Sequence, residues 1–465
     1  MVQMILTAAQ LDAVNAKGEH VLVKGIPGSG KTTVLIAKVT KILSENPTAN
    51  ILFITYNRTL KNYLDQSFKQ RGLVGNLTVS TYHAWANAVL KKVNKSMYTN
   101  PSMISDTYKT IYNVLKETSS HRFYKNSKYK SFLLEEVSWI KGKGIDKRKD
   151  YLKVKRVGRG QGLIQEDREV VYDYLEMTDI RLENSRLVSF DDYANKVDEY
   201  MDTIIDKTNY EFVFIDEGQD LSEMQLITLR KVVRKELYVA ADLGQKIYKT
   251  DFTWKSVGIQ VQGGRTKNLK SAHRSTQEIM NLANSLIKND ELLKREEGKL
   301  KYEANASGDK PILCKISSGE NEFNTVAQTV KEVFDEFDKD VVIGVLADTG
   351  KKCFALRNII VANGVPAEVI EGNKGSVMTP GVKLITMHGA KGLEFDVVII
   401  IGLDEKYPSM KYCSEEVIHE QIEIGRRLLY VSMTRAKEVL FLTYKGNPSQ
   451  YIGEMDKTLY EVEEY

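Results

Sequence analysis

The chain has 465 residues, 42% of them hydrophobic and 28% charged, with a formal net charge of +4. That is the mix of a soluble globular protein too long for one ordinary core, so roughly two to four domains are expected. A balance so near neutral excludes any argument about partners from overall charge, and three scattered cysteines (Cys314, Cys353 and Cys413) exclude a zinc site, an iron–sulfur cluster or a disulfide framework and fit a reducing cytoplasm.

The first residues lack the basic start and long apolar stretch of a secretion signal. Val21-Leu22-Val23 forms a short apolar strand, a glycine loop follows, and Thr32 to Leu43 has helical spacing. Further buried strands are expected at Ile51–Ile54, Phe212–Ile215 and Leu237–Ala240. Short apolar strands alternating with helical stretches imply a parallel sheet with helices on both faces. Residues 93–187 interrupt this pattern. Charges and tyrosines become dense there and buried-strand runs disappear, so a mostly helical insertion is expected, dividing one α/β lobe into residues 1–92 and 188–267. A second lobe is expected over 268–465, with strands at Val341–Leu346, Val382–Ile385, Val397–Ile401 and Val439–Leu442. Asp290 to Pro311 looks like a connecting loop, and the acidic last dozen residues are expected to be loosely ordered. The longest aliphatic run, Val397–Ile401, is far short of a membrane span, so no membrane partner and a cytoplasmic location are expected.

Gly25-Ile26-Pro27-Gly28-Ser29-Gly30-Lys31-Thr32 matches G-x-x-x-x-G-K-[ST] in full, between a strand and a helix. Small residues let successive backbone N–H groups wrap a phosphate, and the helix adds its positive end. Lys31 is expected to reach the β- and γ-phosphates of ATP, and Thr32 to hold Mg²⁺. Phe212–Ile215 ends in Asp216-Glu217. Behind a buried strand and downstream of a phosphate loop, these acids suit a metal ligand (Asp216) and a group that polarises a water (Glu217).

The acids continue as Asp216-Glu217-Gly218-Gln219-Asp220, and here the chain resembles the UvrD/Rep group of superfamily 1 helicases over nearly its whole length. Thr7 to Gln10 resembles the motif that reads the adenine edge. Thr55-Tyr56-Asn57 and Thr81-Tyr82-His83 resemble segments lining the DNA channel. Ala241-Asp242 through Gln245 to Tyr248 resembles the segment coupling ATP to DNA, and His273-Arg274-Ser275-Thr276 a motif of the second lobe. Thr386 through His388 and Lys391 to Phe395, and Arg426 through Tyr430 to Ala436, are near-complete matches to the fifth and sixth motifs.

The resemblance implies an α/β fold of two RecA-like P-loop NTPase lobes with parallel sheets, plus a helical insertion in the first. It implies ATP hydrolysis with Mg²⁺ between the lobes and a 3′-to-5′ track on single-stranded DNA, with single-strand/duplex junctions as partners. Gln245 is implied as a γ-phosphate sensor, Arg274 and Arg435 as arginine fingers, and Glu394 as a contact to the ribose or a relay between sites. Gln10, Gly25, Gly28, Ser29, Gly30, Lys31, Thr32, Thr33 and Glu394 make up the implied nucleotide site. Tyr56, Thr81, His83, Tyr248, Trp254 and His388 make up the implied strand track, with Phe252 beside it.

Residues 121–160 hold 13 Lys/Arg against 4 Asp/Glu, and Trp139, Lys141, Lys143, Arg156 and Arg159 in that stretch are expected to bind strand or duplex. Three departures stand out. Thr33 replaces the arginine, and His273 the tyrosine, that stack on adenine in the family. Thr250-Asp251-Phe252 replaces an aromatic-arginine-glycine run. Only about a dozen residues separate Val365–Ile370 from Val382, where the family inserts a large helical subdomain; that is too few for a packed domain. This minimal form motivates a second reading, a DNA-activated ATPase subunit of a larger nuclease-linked complex. RNA as the track stays open, since no residue pattern recognisably reads a 2′-hydroxyl.

Overall fold

The computed structural model describes residues 5–26, 28–73, 75–93, 98–156, 162–241, 252–269, 271–288, 290, 303–337, 339–371, 375–377, 379–408 and 415–465. Its first six strands are β1 (His20–Gly25), β2 (Ile51–Thr55), β3 (Leu77–Thr81), β4 (Phe212–Ile215), β5 (Glu236–Ala241) and β6 (Thr266–Leu269). They form one sheet in the order β3-β2-β4-β5-β1-β6, parallel throughout. Successive side chains of a strand leave on opposite faces, and both faces are covered. Leu52, Ile54, Val213, Ile215, Leu237 and Val239 enter one core, while Ile51, Phe53, Phe214, Tyr238 and Ala240 enter another. This double burial is why the central strands β2, β4 and β5 are largely apolar runs.

A short parallel pair follows, β7 (Ser271–Thr276) with β8 (Glu303–Ala306). Then come β9 (Ile312–Ile316), β10 (Val342–Ala347), β11 (Ala367–Val369), β12 (Gly381–Thr386), β13 (Phe395–Ile400), β14 (Ala436–Lys445) and β15 (Glu461–Glu464). These seven build a second all-parallel sheet in the order β11-β12-β10-β13-β14-β9-β15. Its two faces again feed two cores. The fold is therefore α/β, with two parallel-sheet lobes of the RecA-like kind.

Two expectations are corrected. The stretch Asp290 to Pro311 contains β8 rather than loop alone. The acidic end is also ordered: β15 pairs with β9, Lys315 reaches Glu464 at 2.8 Å, and the backbone N–H of Ser317 donates to the Tyr465 carbonyl at 2.7 Å. Charge marks these side chains as exposed, but the backbone completes a sheet edge.

Between β3 and β4 the chain is helical. Helices Pro101–Thr118, Arg122–Lys125, Tyr129–Gly142, Arg148–Lys153 and Gln165–Asn184 pack around their own core. The dense tyrosines are that core: Tyr108, Tyr112, Tyr124, Tyr151 and Tyr174 are buried. Two of their hydroxyls find acceptors inside this core, Tyr174 on the Tyr108 carbonyl at 3.1 Å and Tyr151 on Glu136 at 2.9 Å. The segment's ends meet at a bridge between Tyr98 and Leu187.

The basic residues of this segment that the strand-binding expectation named stand in ion pairs. Arg156 is 5% exposed and makes a two-pronged contact with the fully buried Glu136, at 2.6 and 2.7 Å. Lys141, equally buried, pairs with Asp179 and Asp192. Lys143 pairs with Glu223 of the first lobe and lies 5.8 Å from the Trp139 ring centre. Desolvating these cations is costly, and carboxylates brought from elsewhere in the fold offset it. Lys141 and Arg156 thus hold the helices together, Lys143 ties the segment to the first lobe, and Trp139 is half-buried against the segment's own core. Arg159 lies outside the described residues.

Replacing Arg156 by leucine leaves the Glu136 carboxylate buried without its guanidinium, which is expected to cost ~3–5 kcal/mol. Urea unfolding followed by far-UV circular dichroism should show that loss, while strand affinity per folded molecule stays at the wild-type value. Unchanged stability would mean that the pair is not desolvated.

Candidate active site between the lobes

The phosphate loop leaves the C-terminal end of β1 and enters helix Lys31–Glu45. Gly28 and Gly30 have φ of +69° and +83°, the left-handed region that side chains avoid. A Cβ on Gly30 would also meet the Gln10 amide, and one on Gly25 would meet the Ser29 hydroxyl and Leu269. Pro27 lies outside the described residues. Lys31 is buried, its ammonium donating to the carbonyls of Gly25 (2.8 Å) and Ile26 (3.0 Å). Those bonds park the lysine across the mouth of the loop, where a phosphate oxygen can replace the carbonyls. Gln10 closes a capping box with Thr7, and its Nε2 donates to the Ser29 carbonyl at 3.0 Å. Thr33, on the first turn of the helix, is half-buried.

Asp216 and Glu217 follow β4 directly and both are buried. Thr32 donates its hydroxyl proton to Asp216 at 2.8 Å. Burial and the adjacent Glu217 push the Asp216 carboxyl up to about 7, against the hydrogen bond from Thr32 and the charge of Lys31. A carboxylate so penalised is a site short of positive charge. Thr32 and Asp216 offer hard oxygens on one spot, which suits a magnesium ion that keeps water and phosphate as its other ligands. No group of three or more His, Cys, Asp or Glu that could hold a metal gathers among the described residues.

Glu217 behaves oppositely. Burial would raise its pKa, but Lys391, Lys31 and Arg435 outweigh this and hold it ionised below the usual carboxylate value. Two of these cations come from the second lobe. Glu217 also has a φ of +55°, which costs a residue with a side chain ~1–2 kcal/mol. Its oxygen accepts a hydrogen bond from Gln219. Gly218 fits under it because a Cβ there would meet Val239 and Trp254.

The second lobe arrives on the turn after β12. Lys391 is 1% exposed, pairs with the buried Asp220 and stands 3.8 Å from Glu217. Asn57 donates to the Lys391 carbonyl at 3.2 Å, and Gly392 sits against Leu60. Tyr63 packs against a core of each lobe. Arg435 is buried at the end of helix Glu415–Met433. Its guanidinium donates to the carbonyls of Val431 (2.9 Å) and Leu393 (3.3 Å) and to the Thr434 hydroxyl (3.2 Å). Glu394, on the turn before β13, is half-buried. Arg274 belongs to β7, but its side chain, like that of His273, is outside the described ones. Gln245 and Tyr248 lie outside the described residues.

Beside the acids runs a cleft lined by Tyr56, Tyr82, His83, Phe190, Asp220 and Gln225. Phe190, 45% exposed, meets the His83 ring edge-to-face at 5.5 Å. Thr81 is buried at the end of β3, and His388 is exposed on the turn that carries Lys391. Trp254 meets Phe252 edge-on at 5.3 Å and, half-buried, packs against the first-lobe core beside Gly218. Sequence reasoning missed Phe190, Asp220 and Lys391. The last two stood inside quoted motifs, but only the fold shows that opposite charges from different lobes meet.

The UvrD/REP helicase N-terminal domain model matches residues 6–253, and the UvrD-like helicase C-terminal domain model matches 267–374 and 371–447. A probable DNA helicase of Mycoplasma pneumoniae is 24% identical over 470 residues, 91% of this chain and 80% of that protein. DNA helicase IV of Escherichia coli is 22% identical, covering 96% of this chain and 69% of the relative. A probable DNA helicase II homologue of Mycoplasma capricolum is 23% identical over 661 residues, covering 99% of this chain and 88% of that protein. An alignment that long exceeds the chain itself, so that relative carries internal sequence that this chain lacks.

Gly30→Ala forces a side chain into left-handed backbone and against Gln10. ATP affinity, measured by a fluorescent analogue, should fall by at least about tenfold with the fold retained; wild-type affinity would show that the loop does not need this conformation.

Proposed function

The chain belongs to the UvrD/REP helicase family, and from that membership we propose that it moves 3′-to-5′ along single-stranded DNA, hydrolysing ATP in the cleft between its lobes. The broader statement, an ATP-dependent DNA helicase, follows from the family. The observation that supports hydrolysis between the lobes is the composite charge site: Lys31, Asp216 and Glu217 from one lobe, with Lys391 and Arg435 from the other within electrostatic reach of the same carboxylate; the 3′-to-5′ polarity rests on the family resemblance alone.

The chemistry follows from these positions. Lys31 exchanges two backbone carbonyls for phosphate oxygens. Thr32 and Asp216 would hold Mg²⁺, which supplies charge neutralisation on the phosphates when bound. Glu217, kept ionised, accepts a hydrogen bond from the attacking water and orients it. Arg435 turns from its carbonyl partners toward charge developing on the transferred phosphoryl, and Arg274 is proposed as the second finger. The lobes close because both arginines then gain a partner, and they reopen when the product leaves. The cleft of Tyr56, His83 and Phe190 offers flat faces for bases, at ~1–3 kcal/mol per stacked base, in a sequence-tolerant way.

A second reading starts from the short connection in the second lobe. The two C-terminal matches meet at 371–374, and β11 is joined to β12 through residues 370–380. A segment that relatives carry is therefore missing beside the second sheet's edge. On that reading the chain is a DNA-activated ATPase within a nuclease-linked complex and does not unwind alone. Strand displacement with 3′- and 5′-tailed duplexes separates the two. Unwinding from the 3′ tail supports the first; DNA-stimulated hydrolysis without displacement from either tail supports the second.

Glu217→Gln should bind ATP normally and lower kcat by ~10²–10⁴. Arg435→Ala should lower the single-turnover rate by ~10³ with little change in ATP affinity. A wild-type rate in either variant would remove that residue from the chemistry.

A further inference from the structure

Lys391 touches the first lobe at two places with different tasks. Its ammonium pairs with Asp220 and stands 3.8 Å from Glu217. The same ammonium lies 5.5 Å from the centre of the Tyr56 ring, and the Lys391 carbonyl accepts from Asn57 at 3.2 Å. Tyr56 lines the aromatic cleft, and Asn57 caps the helix Arg58–Gln70 through its Oδ1. One side chain therefore bridges the hydrolytic carboxylate and the wall of the strand cleft, and it belongs to neither.

The electrostatics give this bridge a task. Asp216, Glu217 and Asp220 crowd three carboxylates into five positions, all in the interior. Like charges so close repel, and Glu217 already sits in unfavourable left-handed backbone. A cation from the other lobe, 3.8 Å from Glu217, offsets that repulsion. As stability alone, a buried ion pair is a poor investment compared with an apolar contact. A second role would explain why a charge is used here.

We propose that Lys391 is a positioning residue that holds Glu217 in its water-orienting pose and, through Tyr56 and Asn57, makes that pose depend on the strand cleft. The proposal rests on Glu217 being the water-orienting carboxylate. A strand seated against Tyr56 fixes the ring and with it the turn that carries Lys391; an empty cleft leaves the turn less constrained. Stimulation of hydrolysis by DNA then passes through Lys391, alongside whatever passes through the arginines.

The test is steady-state ATPase at saturating oligo(dT), with thermal unfolding in parallel, for wild type, Lys391→Met, Lys391→Met/Asp220→Asn and Glu217→Gln. Lys391→Met should lower kcat by about tenfold or more while KM for ATP stays within about threefold. The double variant replaces the ion pair by a neutral one of similar shape, so it should recover the wild-type Tm while kcat stays low. That separation marks positioning rather than support. A double variant that regains both Tm and kcat would show Lys391 to be structural and overturn the proposal, even if the single variant fails to fold. Undiminished turnover in Glu217→Gln would instead remove the assignment of Glu217, and this inference with it.

Discussion

Three buried carboxylates and three buried cations meet where the two lobes touch, and much else in this molecule can be read as support for that meeting. Asp216, Glu217 and Asp220 come from the end of one strand and the turn after it. Lys31 comes from the phosphate loop of the same sheet, while Lys391 and Arg435 come from the other sheet. Each set lowers the desolvation cost of the other in the interior. The site is thus divided by construction: the lobe that binds phosphate lacks part of the positive charge needed to keep Glu217 ionised. A division of that kind lets chemistry and relative motion of the lobes depend on each other.

The parallel sheets explain how the pieces come together. In such sheets the loops at the carboxyl ends of the strands are free to carry function. β1 delivers the phosphate loop there, β2 delivers Tyr56 and Asn57, β4 the acids, and β12 the turn with His388 and Lys391. Each is anchored by a strand buried on both faces. The helical segment contributes at its base: the end of helix Tyr129–Gly142 packs on Ser222, and Lys143 pairs with Glu223, just past Asp220. That segment therefore braces the turn behind the acids.

Much of this was legible in the sequence because its physics is local. Strands such as Ile51–Ile54 and Val397–Ile401 show themselves by unbroken apolarity, and the phosphate loop by glycines that its φ angles demand. β3, β6 and β15 did not show themselves, since Leu77–Thr81, Thr266–Leu269 and Glu461–Glu464 are polar edge or near-edge strands whose order comes from backbone pairing. The positive excess at 121–160 did not reveal its ion pairs because charge counted along the chain says nothing about carboxylates folded in from positions such as Glu169, Asp179 and Asp192. Trp254 and Phe190 make the same point in reverse. The tryptophan beside a motif is half-buried against the first-lobe core, whereas the phenylalanine outside every motif lines the cleft. Family resemblance supplied the interlobe arginines; only geometry supplied Lys391.

The central claim is that one triphosphate is gripped from both lobes at once. A crystal structure with ADP–aluminium fluoride, Mg²⁺ and oligo(dT) tests it most directly. The account predicts Lys31 and Arg435 both within hydrogen-bond distance of the fluoride, with Glu217 on the water in line. Arg435 still bound to the carbonyls of Val431 and Leu393, and remote from a fully occupied phosphate site, would contradict it.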